Sequence, residues 1–287
     1  MIMSHAVVVG VDGSAQSAAA AEWAAYQAHR SGRALRMIHA GGTEPALAAE
    51  PEDLAQSLPR PVLELRDRLA DVLPDLEISC EHVPGHPAHA LAAAGHREGL
   101  LVLGSRGLGG LAGALVGSVA LRAAAHAACP VVLVRTGTDG DVARSDVAVG
   151  VDSARPCAEV LGFAFEQAAE RGAKLRALES RSLPTGGYVT AAPIDPPEIT
   201  EALAAEALVR LQDALAPWRE KFPGVRVEAE VTGRPAGKAL VEAARSASLV
   251  VVGRRTPKIR PAVPGLGAVA HAVLHHTHGP VAVVPHD

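Results

Sequence analysis

The chain has 287 residues, 48% hydrophobic and 20% charged, with a net charge of −4. Such a length holds one large or two ordinary domains with room for a core in each, and the apolar share excludes a disordered chain. The slight acidity argues against a standing partnership with nucleic acid or an anionic membrane surface.

From the start, MIMSHAVVVGVD shows no basic stretch leading into a long apolar one and no small-residue cleavage site, which sets a cytoplasmic expectation. The apolar run 5–11 reads as a strand ending near Asp12, and Ser14 reads as the cap of the helical stretch that follows. Trp23, Tyr26 and Arg30 fall at three- and four-residue spacing within it. Further strands are expected at 34–40, 76–82, 100–104 and 131–135, with helical stretches beginning near Glu52, Pro87 and Ser118. Runs such as VVVGV, LLVLG and PVVLV are apolar throughout, as expected of strands covered on both faces. Glu52, Asp53, Glu64, Asp67 and Asp71 recur at helical spacing and read as a solvated face. Five strands with four crossovers specify an open parallel α/β sheet whose ligands lie beyond the strand C-termini. Asp12, the strand end at His39-Ala40 and the loop opening at Gly104 all fall along that edge.

The pattern is then written again. Asp146-Val147-Ala148-Val149-Gly150-Val151-Asp152 repeats the first strand with its aspartate 140 positions later, and Leu249-Val250-Val251-Val252-Gly253 repeats Leu100–Gly104 at an offset of 149. Gly279-Pro280-Val281-Ala282-Val283-Val284 repeats Cys129–Val134 at an offset of 150. A period this long is a duplicated domain and not a solenoid repeat. The reading is two tandem domains, 1–137 and 145–287, each a five-stranded parallel sheet with helices on both faces, joined by a polar link.

The stretch GSRGLGGLAGALVGSVA, from Gly104 to Ala120, admits two spacings. Gly109, Gly113 and Gly117 stand four apart, like the seam of a packed membrane helix. Only 15 residues separate Arg106 from Arg122, however, too few to span a bilayer, and the equivalent GRRTPKIRP from Gly253 is charged and proline-rich. The stretch is not a Walker A loop either, because Ser118 stands where a lysine is required. What remains is Gly104-x2-Gly107, then nine residues, then Gly117-Ser118 opening a helix. Glycines let backbone N–H groups approach phosphate oxygens, and a helix start adds unpaired donors and the positive dipole end. Spacing alone leaves a phosphate loop and a merely pliable glycine loop both open.

Val-Gly-Val-Asp-Gly-Ser, then Met-Ile-His-Ala, Gly-x-Pro, Gly-x2-Gly-x9-Gly-Ser and Cys-Pro-Val-Val-Leu-Val, in that order, resembles the universal stress protein family over nearly the whole chain. The glycine-serine signature is that of the family's ATP-binding branch. The resemblance implies an adenine nucleotide alpha hydrolase-like fold and an ATP site. Asp12 would face the nucleoside end or a phosphate-bound metal, and Ala40 would offer backbone groups to adenine. Gly104 and Gly107 would let the backbone pass ribose and phosphates, while Gly117 and Ser118 would hold the phosphate tail. With few lysines at hand, Mg2+ or Mn2+ would sit between phosphate oxygens. The resemblance further implies that the last strands, 131–135 and 281–285, pair about a two-fold axis as an internal pseudo-dimer, with a homodimer of the whole chain beyond it.

The second copy keeps Asp152, Gly253 and Gly267 but has Thr256 for the second glycine and Ala268 for Ser118. Pro257, Pro261 and Pro264 remove N–H donors, Glu179 replaces His39, and Arg254, Arg255, Lys258 and Arg260 add cations. The expectation is a weak or absent second nucleotide site. His271, His275, His276 and His278 read as a helix end, and His82, His86 and His89 as loop and helix-start residues. The three cysteines, Cys80, Cys129 and Cys157, form no CxxC pair and read as free thiols. The function expected is an ATP-binding stress or dormancy regulator that acts through nucleotide occupancy on an unidentified protein partner. Without a dedicated base it is at most a slow ATPase. The alternatives are a hydrolase using segments 41–60 and 180–197, and a scaffold without ligand.

Overall fold

The computed structural model describes residues 6–42, 58–105, 116–136, 146–181, 197–256 and 265–287. The first half runs β1 (Val7–Gly10), α1 (Ala15–Ser31), β2 (Leu35–Ala40), α2 (Arg60–Val72), β3 (Ile78–Val83), α3 (Pro87–Glu98), β4 (Leu101–Gly104), α4 (Ser118–His126) and β5 (Val131–Val134). The second runs β6 (Asp146–Gly150), α5 (Ala158–Arg171), β7 (Leu175–Ser180), α6 (Pro197–Lys221), β8 (Val227–Thr232), α7 (Ala236–Ala243), β9 (Ala247–Arg255), α8 (Gly267–His276) and β10 (Val281–His286). The expected start near Glu52 lies outside the described residues, where α2 enters at Arg60. Glu64, Asp67 and Asp71 do face solvent. Among the described residues no helix is long and apolar enough to cross a membrane, and the glycines at 107, 109, 110 and 113 fall outside them.

All ten strands form one sheet in the order β3-β2-β1-β4-β5-β10-β9-β6-β7-β8. Within each half neighbours are parallel; at the joint, β5 and β10 are antiparallel, with Val281 opposite Leu133 and Val283 opposite Val131. The pseudo-dimer is therefore a continuous sheet. Successive strand residues feed opposite faces: Val7 and Val9 pack under α1, in a core continuous with that of the other half, while Val8 packs with Leu91, Leu101 and Leu103 on the far side. At the central strands both faces are dry, which is why β1, β4 and β5 carry no polar alternation, whereas the outer β8, VEAEVT, alternates.

Alanine lets α1 come close. Ala20, Ala21, Ala24, Ala25 and Ala28 are fully buried. The helix ends at Gly32, whose φ of 64° lets its N–H reach back to the Ala28 and His29 carbonyls; Gly172, at φ 59°, ends α5 the same way 140 positions on. The two helices meet across the joint. Buried Gln27 and Gln167 both donate through Nε2 to Glu170, and Arg171 donates to the Gln167 side-chain oxygen at 2.7 Å while lying 5.2 Å over the Trp23 ring. Two arginines cap helices of the opposite half. Arg135 donates to the Leu274 carbonyl at 2.7 Å, and buried Arg254 donates to the carbonyl of Ala127 at the end of α4. Cations at helix C-termini satisfy orphan carbonyls and complement the dipole.

Candidate functional site

In each half the chain first moves outward from β1 to β3 and then returns to the other side of β1 as β4. This reversal opens a crevice beyond the C-terminal ends of β1 and β4 in the first half, and of β6 and β9 in the second. Four sequence-marked positions border the first crevice: Asp12 just past β1, Ala40 ending β2, Gly104 ending β4, and Gly117-Ser118 opening α4. Gly107 lies outside the described residues.

The turn after β1 is built by its own side chains. Gly13 takes a φ of 82°, and the Asp12 Oδ1 accepts the Ser14 N–H at 3.0 Å. The Ser14 hydroxyl accepts the Ser17 N–H at 3.1 Å, so Ser14 is the N-cap. The Ser17 hydroxyl accepts the Asp12 N–H at 3.3 Å and donates to the Ser14 carbonyl at 2.9 Å. Asp12 is thus first a brace for the start of α1. Gly104 has a packing reason beyond its place in the crevice: a Cβ there would stand 2.7 Å from the carbonyl oxygen of Gln16, in the first turn of α1. The glycine is what lets that turn settle on β4.

The two ends of the glycine loop are tied together. Gly117 donates its N–H to the Ser105 carbonyl at 2.6 Å, and Ser105 donates its own N–H to the Val134 carbonyl at 2.7 Å. Gly117 is the N-cap of α4, extended at φ −75°, and among the described residues no side chain caps the helix. Ser118 follows as an exposed first residue. The loop thus leaves and returns at one point, with the positive end of α4 at that point.

His39 and His82 stand in register on β2 and β3, with rings 5.7 Å apart. The His39 Nδ1 contacts the Val11 carbonyl at 2.8 Å and the His82 Nε2 the Gly41 carbonyl at 2.9 Å. His82 is therefore a strand residue and not part of the loop that the neighbouring Gly-x-Pro suggested. The residue alternation of β3 places it there, a signal that the short, half-exposed strand carries weakly.

The second crevice departs from the first at one helical turn. Ala154 stands where Ser14 does, and Pro156 disfavours the helical region for Arg155. The residues after Asp152 form a turn, and α5 begins only at Ala158, with Cys157 as an N-cap that makes no side-chain cap bond. A Cβ on Gly253 would meet not helix backbone but the His286 ring, 2.8 Å away, and the Val160 side chain. The space enclosed is a cavity of about 570 Å³, lined by Asp152, Arg155, Glu179, Arg255, Gly267 and Leu240 among others. Degeneration of the motif has not closed the second site. The described cations there are Arg155, Arg181 and Arg255; Lys258 and Arg260, with the three prolines, lie outside the described residues. Arg254 points away from the crevice to the other half, which the sequence did not signal.

Among the described residues no three His, Cys, Asp or Glu side chains are arranged to hold a metal. His271 and His275 pack ring to ring at 4.2 Å on α8, and neighbouring positive groups together with burial lower the His275 pKa, burial most of all. The three cysteines are free.

A sequence profile described as the universal stress protein family matches residues 3–135 and 144–285. The chain is 32% identical over 295 residues to Universal stress protein Rv2005c of Mycobacterium tuberculosis, covering 97% of this chain and 96% of the relative. It is 31% identical over 317 residues to Universal stress protein Rv1996 of the same organism, covering 98% and 96%. Among solved structures, a universal stress protein from Archaeoglobus fulgidus superposes with a TM-score of 0.63 at 16% identity, covering 99% of each chain. That likeness extends the tandem fold to a distant sequence.

Proposed function

The chain belongs to the universal stress protein family, and from that premise we propose that its first half binds ATP and that nucleotide occupancy is the signal it passes to a protein partner. One observation carries the reading: the Ser105–Gly117 bond closes the glycine loop against an α4 N-terminus that no side chain among the described residues caps. Phosphate oxygens would take those N–H groups and the Ser118 hydroxyl, where loop backbone and helix dipole act together. Ala40 would meet the base through its main chain, and His39 and His82 flank that end. Among the described residues no carboxylate cage exists for a cation, so Mg2+ or Mn2+ would arrive bound between phosphates and could reach the Asp12 carboxylate. The chain offers no Walker lysine, and turnover, where it occurs, is slow.

The test is a melting curve of the full chain with ATP and Mg2+. Ligand at 100 times its dissociation constant adds about 2.7 kcal/mol to the native state, a rise of a few degrees for a protein of this size. Asp12→Asn keeps an oxygen for the Ser14 N–H and removes the charge; with Ser118→Ala it should erase the rise while leaving the ligand-free melting point in place. A chain whose melting ignores ATP, or whose response survives the double variant, does not use this site.

A further inference from the structure

We propose that the second-half cavity is a separate site that prefers a guanine nucleotide, with Glu179 reading the base. Glu179 sits next to the end of β7, is 3% exposed, and lines the cavity. Its Oε2 is buried with no hydrogen-bond partner among the described residues, and its Oε1 is 3.7 Å from the Arg181 Nε, beyond hydrogen-bond reach. A buried carboxylate oxygen without a donor is costly, so the pocket is built to be completed by N–H groups from elsewhere. Two adjacent acceptors match the Watson–Crick edge of guanine, which presents N1–H and N2–H side by side. Adenine presents one donor beside an acceptor, and that acceptor would face a carboxylate oxygen. Leu178 and Leu240 supply apolar walls for a ring, and about 570 Å³ is the size of a pocket for one nucleotide.

The other end of the same cavity suits an anionic tail. Arg155 and Arg255 are exposed on its rim, while Arg181, 3.7 Å from Glu179, stands at the base end. The N-terminus of α8 opens there at Gly267, whose φ of 73° favours glycine, and among the described residues no side chain caps the helix. Donor head and anionic tail together specify a nucleotide, and the head specifies guanine. The late start of α5 makes the room. This site is independent of the ATP reading, because none of its residues belongs to the first half.

The experiment is calorimetric titration of the full chain with GDP, ADP and guanosine. In the Asp12→Asn, Ser118→Ala background, GDP should still bind, at least about tenfold more tightly than ADP, the discrimination expected of a good bidentate base contact. Glu179→Gln exchanges one acceptor for a donor and fits adenine, so it should reverse the preference. Arg255→Ala, on the exposed rim, should weaken GDP severalfold and leave guanosine unchanged, which keeps the test open should the buried variant unfold. Absence of GDP binding, a preference that Glu179→Gln leaves alone, or GDP binding lost with Asp12 and Ser118 overturns the proposal. ATP binding through Asp12 with no GDP binding overturns it alone and leaves the first-half reading standing; a chain that takes neither nucleotide sinks both.

Discussion

The two halves share a strand order and differ in how the first helix begins. Ser14 caps α1 directly after Asp12, and the first turn lies on Gly104. In the second half Ala154 and Pro156 delay α5 to Ala158, and the space left over is the cavity. One cap and one proline thus decide whether the crevice is floored by helix backbone or left deep enough for a ring. The same fold position takes two shapes because helix starts are set locally, while strand order is set by the whole core.

The sharpest way to break this comparison is at the paired glycines. Gly104→Ala pushes a Cβ to 2.7 Å from a main-chain oxygen that cannot turn aside, and should cost about 3 kcal/mol in urea unfolding. Gly253→Ala meets a histidine ring near the C-terminus and should cost about 1 kcal/mol or less. Equal costs would mean that the two helix starts do not differ as described. The crossing arginines come next. Arg254→Ala strips a buried carbonyl of its donor and should lose about 2 kcal/mol, whereas half-buried Arg135→Ala should lose about 1 kcal/mol. Chemical denaturation of each variant, with a single transition for both halves, checks the order.

Smaller effects sharpen the same contrast. Ser14→Ala should cost about 1 kcal/mol through the lost cap, while Ala154→Ser should change stability by less than about 0.5 kcal/mol, because Pro156 still disfavours a helical Arg155. The least disturbing probe is the thiols. Burial pushes Cys129 up to about 12 from the ordinary 9.0, so it keeps its proton while an unfolded chain would lose it. Its contribution to stability is therefore complete below about 9 and falls away as pH climbs towards about 12. At pH 8 a thiol reagent should label half-buried Cys157, on the cavity wall, well before Cys129, and GDP should slow only the former.

Much of this was legible in the residues. VVVGV and LLVLG are apolar throughout because both faces of their strands are dry, and Ser14 caps the helix after the first strand as its residue type indicates. Asp12, Ala40, Gly104, Gly117 and Ser118 fall at strand ends or a helix start, as read, because such boundaries are local features. The contact between Gly104 and Gln16 was not legible, since it depends on how two distant segments approach. The buried Glu179 was visible as a substitution for His39, but its missing partner is a property of packing. Arg254, in a row of cations, gave no sign that it turns across the joint.

The antiparallel joint between β5 and β10 has a consequence for how such a protein can change. Two identical chains paired along that edge would carry every substitution twice, once in each crevice. Joined in one polypeptide, the halves form a permanent unequal pair, each held by the other's strand and capping arginine. A residue such as Glu179 can then change one crevice while the sister crevice stays as it was, and the shared sheet keeps both folded.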